Sequence, residues 1–104
     1  MFDQYLYTRA REAGLPLFHL GASWAFEATV AQIEEARHAP AAEWLSARVP
    51  AGPETRLVVR WSAGAWAIDA QTYDGRWITA CREIDGTDVG ILLDYLTKTG
   101  CYLI

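Results

Sequence analysis

Two cysteines, Cys81 and Cys101, and two histidines, His19 and His38, are the side chains of this chain best suited to chemistry. Together they would supply the ligands of one tetrahedral zinc site, and either thiol beside either imidazole would make a nucleophile with its base. Their placement argues for neither. Zinc-binding motifs bring their ligands in close pairs, and these residues are spread along the chain without one. Cys81 lies in an apolar, strand-like segment and Cys101 in the apolar tail Cys101-Tyr102-Leu103-Ile104, settings in which a thiol packs as a small hydrophobic group. The expectation is two reduced, packed cysteines and no metal.

Other catalytic equipment is sparse. No Gly-x-Gly-x-x-Gly run occurs, and the single lysine, Lys98, follows no glycine-rich loop, so the phosphate-cradling motifs of nucleotide enzymes are missing. Carboxylate pairs arise in any acidic chain, and nothing singles one out. The sequence therefore predicts a protein that is not an enzyme, carries no cofactor and works by binding.

Composition bounds what it binds. There are 13 acidic residues against 9 basic ones, for a net charge of −4 and a pI near 5.0. That balance disfavours duplex DNA, whose binders neutralise phosphates with a basic surface. With 104 residues, 52% of them hydrophobic and 12% aromatic, the chain has apolar surface enough for one compact domain and too little length for two. The start has no basic stretch leading into an apolar one, and no window approaches the roughly 20 apolar residues of a membrane span. A single-domain cytoplasmic protein is expected.

The elements that must present a binding surface divide at about Pro50. Before it, apolar residues recur at three and four. This spacing predicts a first helix capped by Asp3, with Phe2, Leu6, Ala10 and Ala13 on one side and Gly14 at its end. Leu17 to Leu20 read as strand or loop. Ser23 is the expected N-cap of a second helix running to His38 with Phe26, Val30 and Ile33 inward, and Pro40 opens a shorter third helix over 41–48 that buries Trp44 and Leu45. Pro50-Ala51-Gly52-Pro53 is a connector within the domain.

After Pro50 the period changes to two. Segments 56–61, 65–70 and 76–82 read as strands, the last two joined through Asp74-Gly75, the pair that tight type I′ hairpins favour. That two-residue loop sets Ile68 opposite Cys81 and Ala70 opposite Thr79. Ala63-Gly64 as the earlier loop sets Trp61 opposite Trp66 and Val59 opposite Ile68. One face then carries Leu57, Val59, Trp61, Trp66, Ile68, Ala70, Trp77, Thr79 and Cys81 as a core. The other carries Arg56, Val58, Arg60, Ala67, Asp69, Gln71, Arg76, Ile78 and Arg82. A last helix over 87–99, capped by Thr87 or Asp88, buries Val89, Leu92, Leu93 and Leu96 and stops at Gly100. The predicted class is α+β: N-terminal helices and a C-terminal helix packed on one face of a three-stranded antiparallel meander over 55–82.

Two surfaces could meet a partner. Glu83, Asp85, Asp88 and Asp94 crowd into 83–94 with no lysine or arginine among them, and Ile91 and Tyr95 stand at i, i+4 beside them. Large apolar groups ringed by acids suit a basic protein surface, whereas a plain reading makes them a solvated helix start partly covered by the N-terminal helices. The outer sheet face, with Arg56, Arg60, Arg76 and Arg82 around Asp69 and Tyr73 at the turn, is the alternative and would suit single-stranded nucleic acid. With Trp61, Trp66 and Trp77 assigned to the core face, that surface lacks stacking aromatics. The acidic patch of Glu83, Asp85, Asp88, Ile91, Asp94 and Tyr95 is therefore the expected contact.

In size, acidity and want of a catalytic motif the chain resembles the small phage-encoded anti-CRISPR inhibitors, a likeness of profile that transfers no residue. The resemblance implies stoichiometric inhibition of a CRISPR effector complex inside the host bacterial cell, by occupation of the basic surface that otherwise meets DNA. Toxin-neutralising immunity proteins and antitoxins share the profile and differ in the partner.

Overall fold

A computed structural model of the chain describes residues 2–20, 23–45, 48–62 and 64–100. Among them are three α-helices, α1 (Phe2–Glu12), α2 (Val30–Arg37) and α3 (Gly86–Thr99). Five strands, β1 (Phe18–Leu20), β2 (Ser23–Thr29), β3 (Arg56–Ser62), β4 (Ala65–Gln71) and β5 (Trp77–Ile84), form one antiparallel sheet in sequence order. The class is α+β. The sheet has five strands rather than three because the segment before Thr29 is not helical.

Ser23–Thr29 alternates instead: Trp24, Phe26 and Ala28 are buried in the main core, while Ser23, Glu27 and Thr29 are only half-buried. Trp24 pairs across to Trp61, Phe26 to Val59 and Ala28 to Leu57. Helix propensity differs by only tenths of a kcal/mol per residue, whereas burying one large side chain contributes about 1.5–3 kcal/mol, so cross-strand burial overrides the local preference. Helix α2 accordingly starts at Val30, and its cap is Thr29 rather than Ser23. The Thr29 hydroxyl accepts from the Gln32 backbone N–H at 3.1 Å, and Gln32 Oε1 accepts from the Thr29 N–H at 2.9 Å. The connector then completes the helix start, because the Val30 and Ala31 N–H groups donate to the carbonyls of Thr55 and Pro53, both at 3.0 Å. Replacing Thr29 with alanine should lower stability by about 1 kcal/mol, read as an earlier urea midpoint at unchanged slope.

The other N-terminal elements are shorter than expected. Leu6 and Ala10 of α1 are buried, but Ala13 is exposed because the helix has already ended at Glu12. Asp3 falls within α1 rather than before it, and its side chain and that of Phe2 lie outside the described residues. The helix expected over 41–48 is a single 3₁₀ turn, Ala41–Trp44, with Trp44 buried, Leu45 half-buried and residues 46–47 outside the described ones. So short a segment gains too few i to i−4 bonds to offset helix nucleation.

The hairpin from β4 to β5 has a three-residue loop, Tyr73-Asp74-Gly75, and not the two-residue Asp74-Gly75. The Thr72 N–H donates to the Arg76 carbonyl at 2.8 Å, the Gly75 N–H donates to the Thr72 carbonyl at 3.0 Å, and within the loop only Gly75, at φ 87°, is left-handed. A type I turn followed by one left-handed residue needs glycine at a single position. Gln71 now pairs with Trp77, Ala70 with Ile78 and Asp69 with Thr79, one residue away from the expected register. The slip turns Trp77 and Thr79 outward and Ile78 inward. An extra residue at Ala80 restores the Ile68 and Cys81 pair, so Cys81 still packs against the core, and Arg82 with Glu83 then bulge opposite the single Ala67 before Ile84 pairs with Trp66.

One core lies between the inner sheet face and the helices. Phe26, Ile33, Leu57, Ile68, Leu92 and Leu93 are fully buried, and α3 adds Val89 and Leu96 to a cluster shared with Leu6 and Ala10 of α1. Helix α3 contacts both α1 and α2, and its N-terminal end follows directly from β5.

Candidate functional site

The second bulge shapes the approach to α3. Glu83 is exposed and sits at φ 56°, a left-handed conformation that costs a residue with a Cβ about 1–2 kcal/mol. Asp85, not Thr87 or Asp88, is the N-cap, because β5 runs on to Ile84 and the helix starts one residue past Asp85. Its carboxylate accepts from the Thr87 N–H at 2.8 Å. Asp88 follows half-buried in the first turn, favoured there by the helix dipole, and Ile91 is 42% exposed. Glu83, Asp85, Asp88 and Ile91 thus share the N-terminal end of α3 and the chain that leads into it.

Asp94 and Tyr95 are placed differently. Asp94 Oδ1 lies 2.6 Å from Arg9 Nη1, an ion pair that ties α3 to α1. The Tyr5 hydroxyl and the Asp94 carboxylate together hold the Arg9 guanidinium above its ordinary pKa. Tyr95 is half-buried and packs against the core. Asp94 thus belongs to the seam between α1 and α3 and Tyr95 to the margin of the core, whereas Ile91 stays exposed.

A groove of about 560 Å³ opens beside the acidic end, between the tip of the β3–β4 hairpin and the β5–α3 connection. Trp61 and Trp66 line one side, and Glu83, Asp85 and Thr87 the other. The two indoles are a cross-strand pair with ring centroids 5.2 Å apart. Trp66 also meets Trp24 edge-on at 5.1 Å. Trp66 is 2% exposed, and its indole N–H has no hydrogen-bond partner, an uncommon condition for a buried donor. Sequence reasoning assigned both tryptophans to the core and missed the groove. The available signal was a tryptophan pair at a hairpin end facing a short strand-to-helix link.

On the outer sheet face, Arg60 makes a two-point contact with Asp69, Nε to Oδ2 at 2.9 Å and Nη2 to Oδ1 at 3.2 Å, and the Thr79 hydroxyl donates to Asp69 Oδ1 at 3.0 Å. This pair raises the Arg60 pKa through the hydrogen bond to Asp69 and occupies the centre of the face. Arg76 reaches Asp74 at 3.4 Å across the exposed turn. Among the described residues no ion pair involves Arg56 or Arg82. Trp77 is 58% exposed beside Arg56 and Gln71 in a shallow cleft of about 410 Å³.

Among the described residues, Cys81, His19 and His38 form no assembled centre. Cys81 is half-buried, desolvation pushes its pKa up, and its sulfur makes only a weak 3.8 Å contact with the Arg82 carbonyl. His19 packs edge-on against Tyr7 at 5.6 Å, and His38 is the left-handed C-cap of α2. The Cys101 tail lies outside the described residues. Among the described residues no group of three or more His, Cys, Asp and Glu is placed to hold a metal, and no helix is long and apolar enough to cross a membrane. Comparison with known protein families, with curated protein sequences and with solved structures yields no match.

Proposed function

We propose that this protein is a non-enzymatic inhibitor that covers a basic surface of a nucleic-acid-handling partner, acting in the bacterial cytoplasm in the manner of the anti-CRISPR proteins it resembles in size and charge. One observation carries the reading: Glu83 and Asp85 line a groove walled by two tryptophans at the start of α3, and Asp88 and the exposed Ile91 follow on the first turns of that helix. Carboxylates around an apolar anchor complement a lysine- and arginine-rich surface that otherwise holds phosphates, and they raise its association rate. Asp94, paired with Arg9 of α1, and Tyr95, packed against the core, stand at the margin of this contact.

Mixing the protein with purified CRISPR effector complexes and following their DNA binding by gel mobility tests the reading. DNA binding should be lost near one protein per complex, and high salt, which screens exposed charges, should restore it. If excess protein leaves every effector able to bind DNA, and nuclease-treated lysate yields no basic partner at low salt, the reading fails. A basic toxin retained in place of an effector would keep the mechanism and change the target.

The outward position of Trp77 favours a second reading. It restores an aromatic to the arginine face, beside Arg56, and a single-stranded nucleic acid could stack there. Salt-sensitive oligonucleotide binding that Trp77→Ala and Arg56→Glu both abolish would move the assignment to that face.

A further inference from the structure

We propose that the cleft beside Trp77 on the outer sheet face is a binding site for a neutral saccharide, a role separate from the contact at the start of α3. The sheet sets its lining. Gln71 pairs with Trp77, and the β3–β4 register that sets Val58 against Asp69 brings Arg56 level with Gln71, so Arg56, Gln71 and Trp77 stand in one row across β3, β4 and β5. Glu27 of β2 and Glu54 of the connector line the cleft with them. Three strand spacings, roughly 14 Å, separate the strand of Glu27 from that of Trp77. The volume of about 410 Å³ falls within the range of small-molecule sites and has room for a disaccharide. Both walls are fixed by hydrogen bonds. The Thr55 and Pro53 carbonyls of the connector accept from the start of α2, and the Thr55 N–H closes a turn onto the Gly52 carbonyl at 3.0 Å. Opposite, the Tyr73 N–H donates to the Arg48 carbonyl at 3.3 Å, and Gln71 Nε2 donates to the Gly75 carbonyl at 3.1 Å, which leaves Gln71 Oε1 to accept.

The groups left free in this cleft are mixed in kind. The Trp77 ring is 58% exposed, and among the described residues no hydrogen bond or ion pair holds the side chain of Glu27, Glu54 or Arg56. A ligand there meets a flat apolar ring, a guanidinium that only donates and carboxylates that only accept. A pyranose answers all three. Its C–H face lies on the indole, and its rim of hydroxyls, each both donor and acceptor, serves Arg56 as well as Glu27 and Glu54. Charged ligands fit less well. A phosphate chain meets two carboxylates for one arginine, and a basic peptide meets Arg56 on a strand between the Trp77 strand and that of Glu27.

The test is a titration of the intact protein with cellobiose, maltose, lactose and N,N′-diacetylchitobiose, watched through the indole N–H signals of its five tryptophans. At least one of these sugars should move the Trp77 signal, with a Kd on the order of 1–10 mM for a small ligand in an open cleft. The signals of Trp24 and Trp66, buried on the inner face, should stay in place. Because the ligand is neutral, added salt should leave the affinity unchanged. Saturation transfer to the sugar protons should vanish in Trp77→Ala and persist in Trp77→Phe, which keeps a flat ring. Glu27→Gln and Arg56→Gln should each weaken binding about fivefold, with the urea midpoint of each variant confirming an intact fold. No movement of the Trp77 signal by any of the four sugars at roughly 50 mM, or saturation transfer that survives Trp77→Ala, overturns the proposal. So does an oligothymidylate that moves the Trp77 signal in a salt-sensitive way while the sugars do not, which assigns the cleft to single-stranded nucleic acid.

Discussion

Phe26→Ala should destabilise the fold by about 3–5 kcal/mol, a large share of the roughly 5–15 kcal/mol that holds such a domain together. Phe26 is wholly buried on the inner face of β2, opposite Val59, with its ring 6.3 Å from those of both Trp24 and Trp66. Removing it leaves a cavity among rigid aromatic neighbours that cannot collapse to fill it. Thermal melting should fall by on the order of 15 °C. Trp77→Ala is the contrasting case. On the register of a two-residue turn it would empty the core and cost as much, but at 58% exposure on the outer face it should change stability by no more than about 0.5 kcal/mol. A large loss from Trp77→Ala would contradict the three-residue loop.

Glu83→Lys combined with Asp88→Lys should weaken the partner complex by at least about a hundredfold, because each change replaces an attraction by a repulsion against a basic surface. The folded protein should tolerate it. Glu83 is exposed and Asp88 half-buried, no ion pair among the described residues involves either, and a lysine in the first turn of α3 costs about 0.3–1 kcal/mol against the helix dipole. Titration calorimetry at low salt measures the first effect and urea unfolding the second. Asp94→Asn separates the acidic end from the seam. It breaks the partly exposed Arg9 pair, worth less than about 1 kcal/mol, and should leave partner affinity where it was. Complex formation that survives the double reversal and fails in Asp94→Asn would relocate the contact to the α1 and α3 seam.

Much of the candidate site was legible before the structure. The acids at 83, 85 and 88 and the apolar Ile91 follow from simple residue order, and helical spacing alone buries Val89, Leu92, Leu93 and Leu96. The groove was not legible, because it needs Trp61 and Trp66 from one hairpin brought against a connection some twenty residues later in the chain. The same tryptophans read as plain core. Trp66 is buried, so that reading describes its packing correctly and says nothing about its unsatisfied N–H.

Local signals determined the features that depend on near neighbours: the strands after Pro50, the Trp61 and Trp66 pairing, the last helix and its glycine stop, and the α+β class. Each rests on a repeat or a turn within a few residues. Tertiary contacts decided the rest. Trp24 and Phe26 joined a sheet because β3 offered Trp61 and Val59 to cover, an energy larger than any alanine preference for helix in 23–29. The direction of Trp77 depended on whether one residue or two in the turn took positive φ, and a single-residue slip reverses every side chain until a bulge corrects it. Periodicity identifies which residues want to be buried. Only the assembled sheet shows against what, and which acids are left facing out.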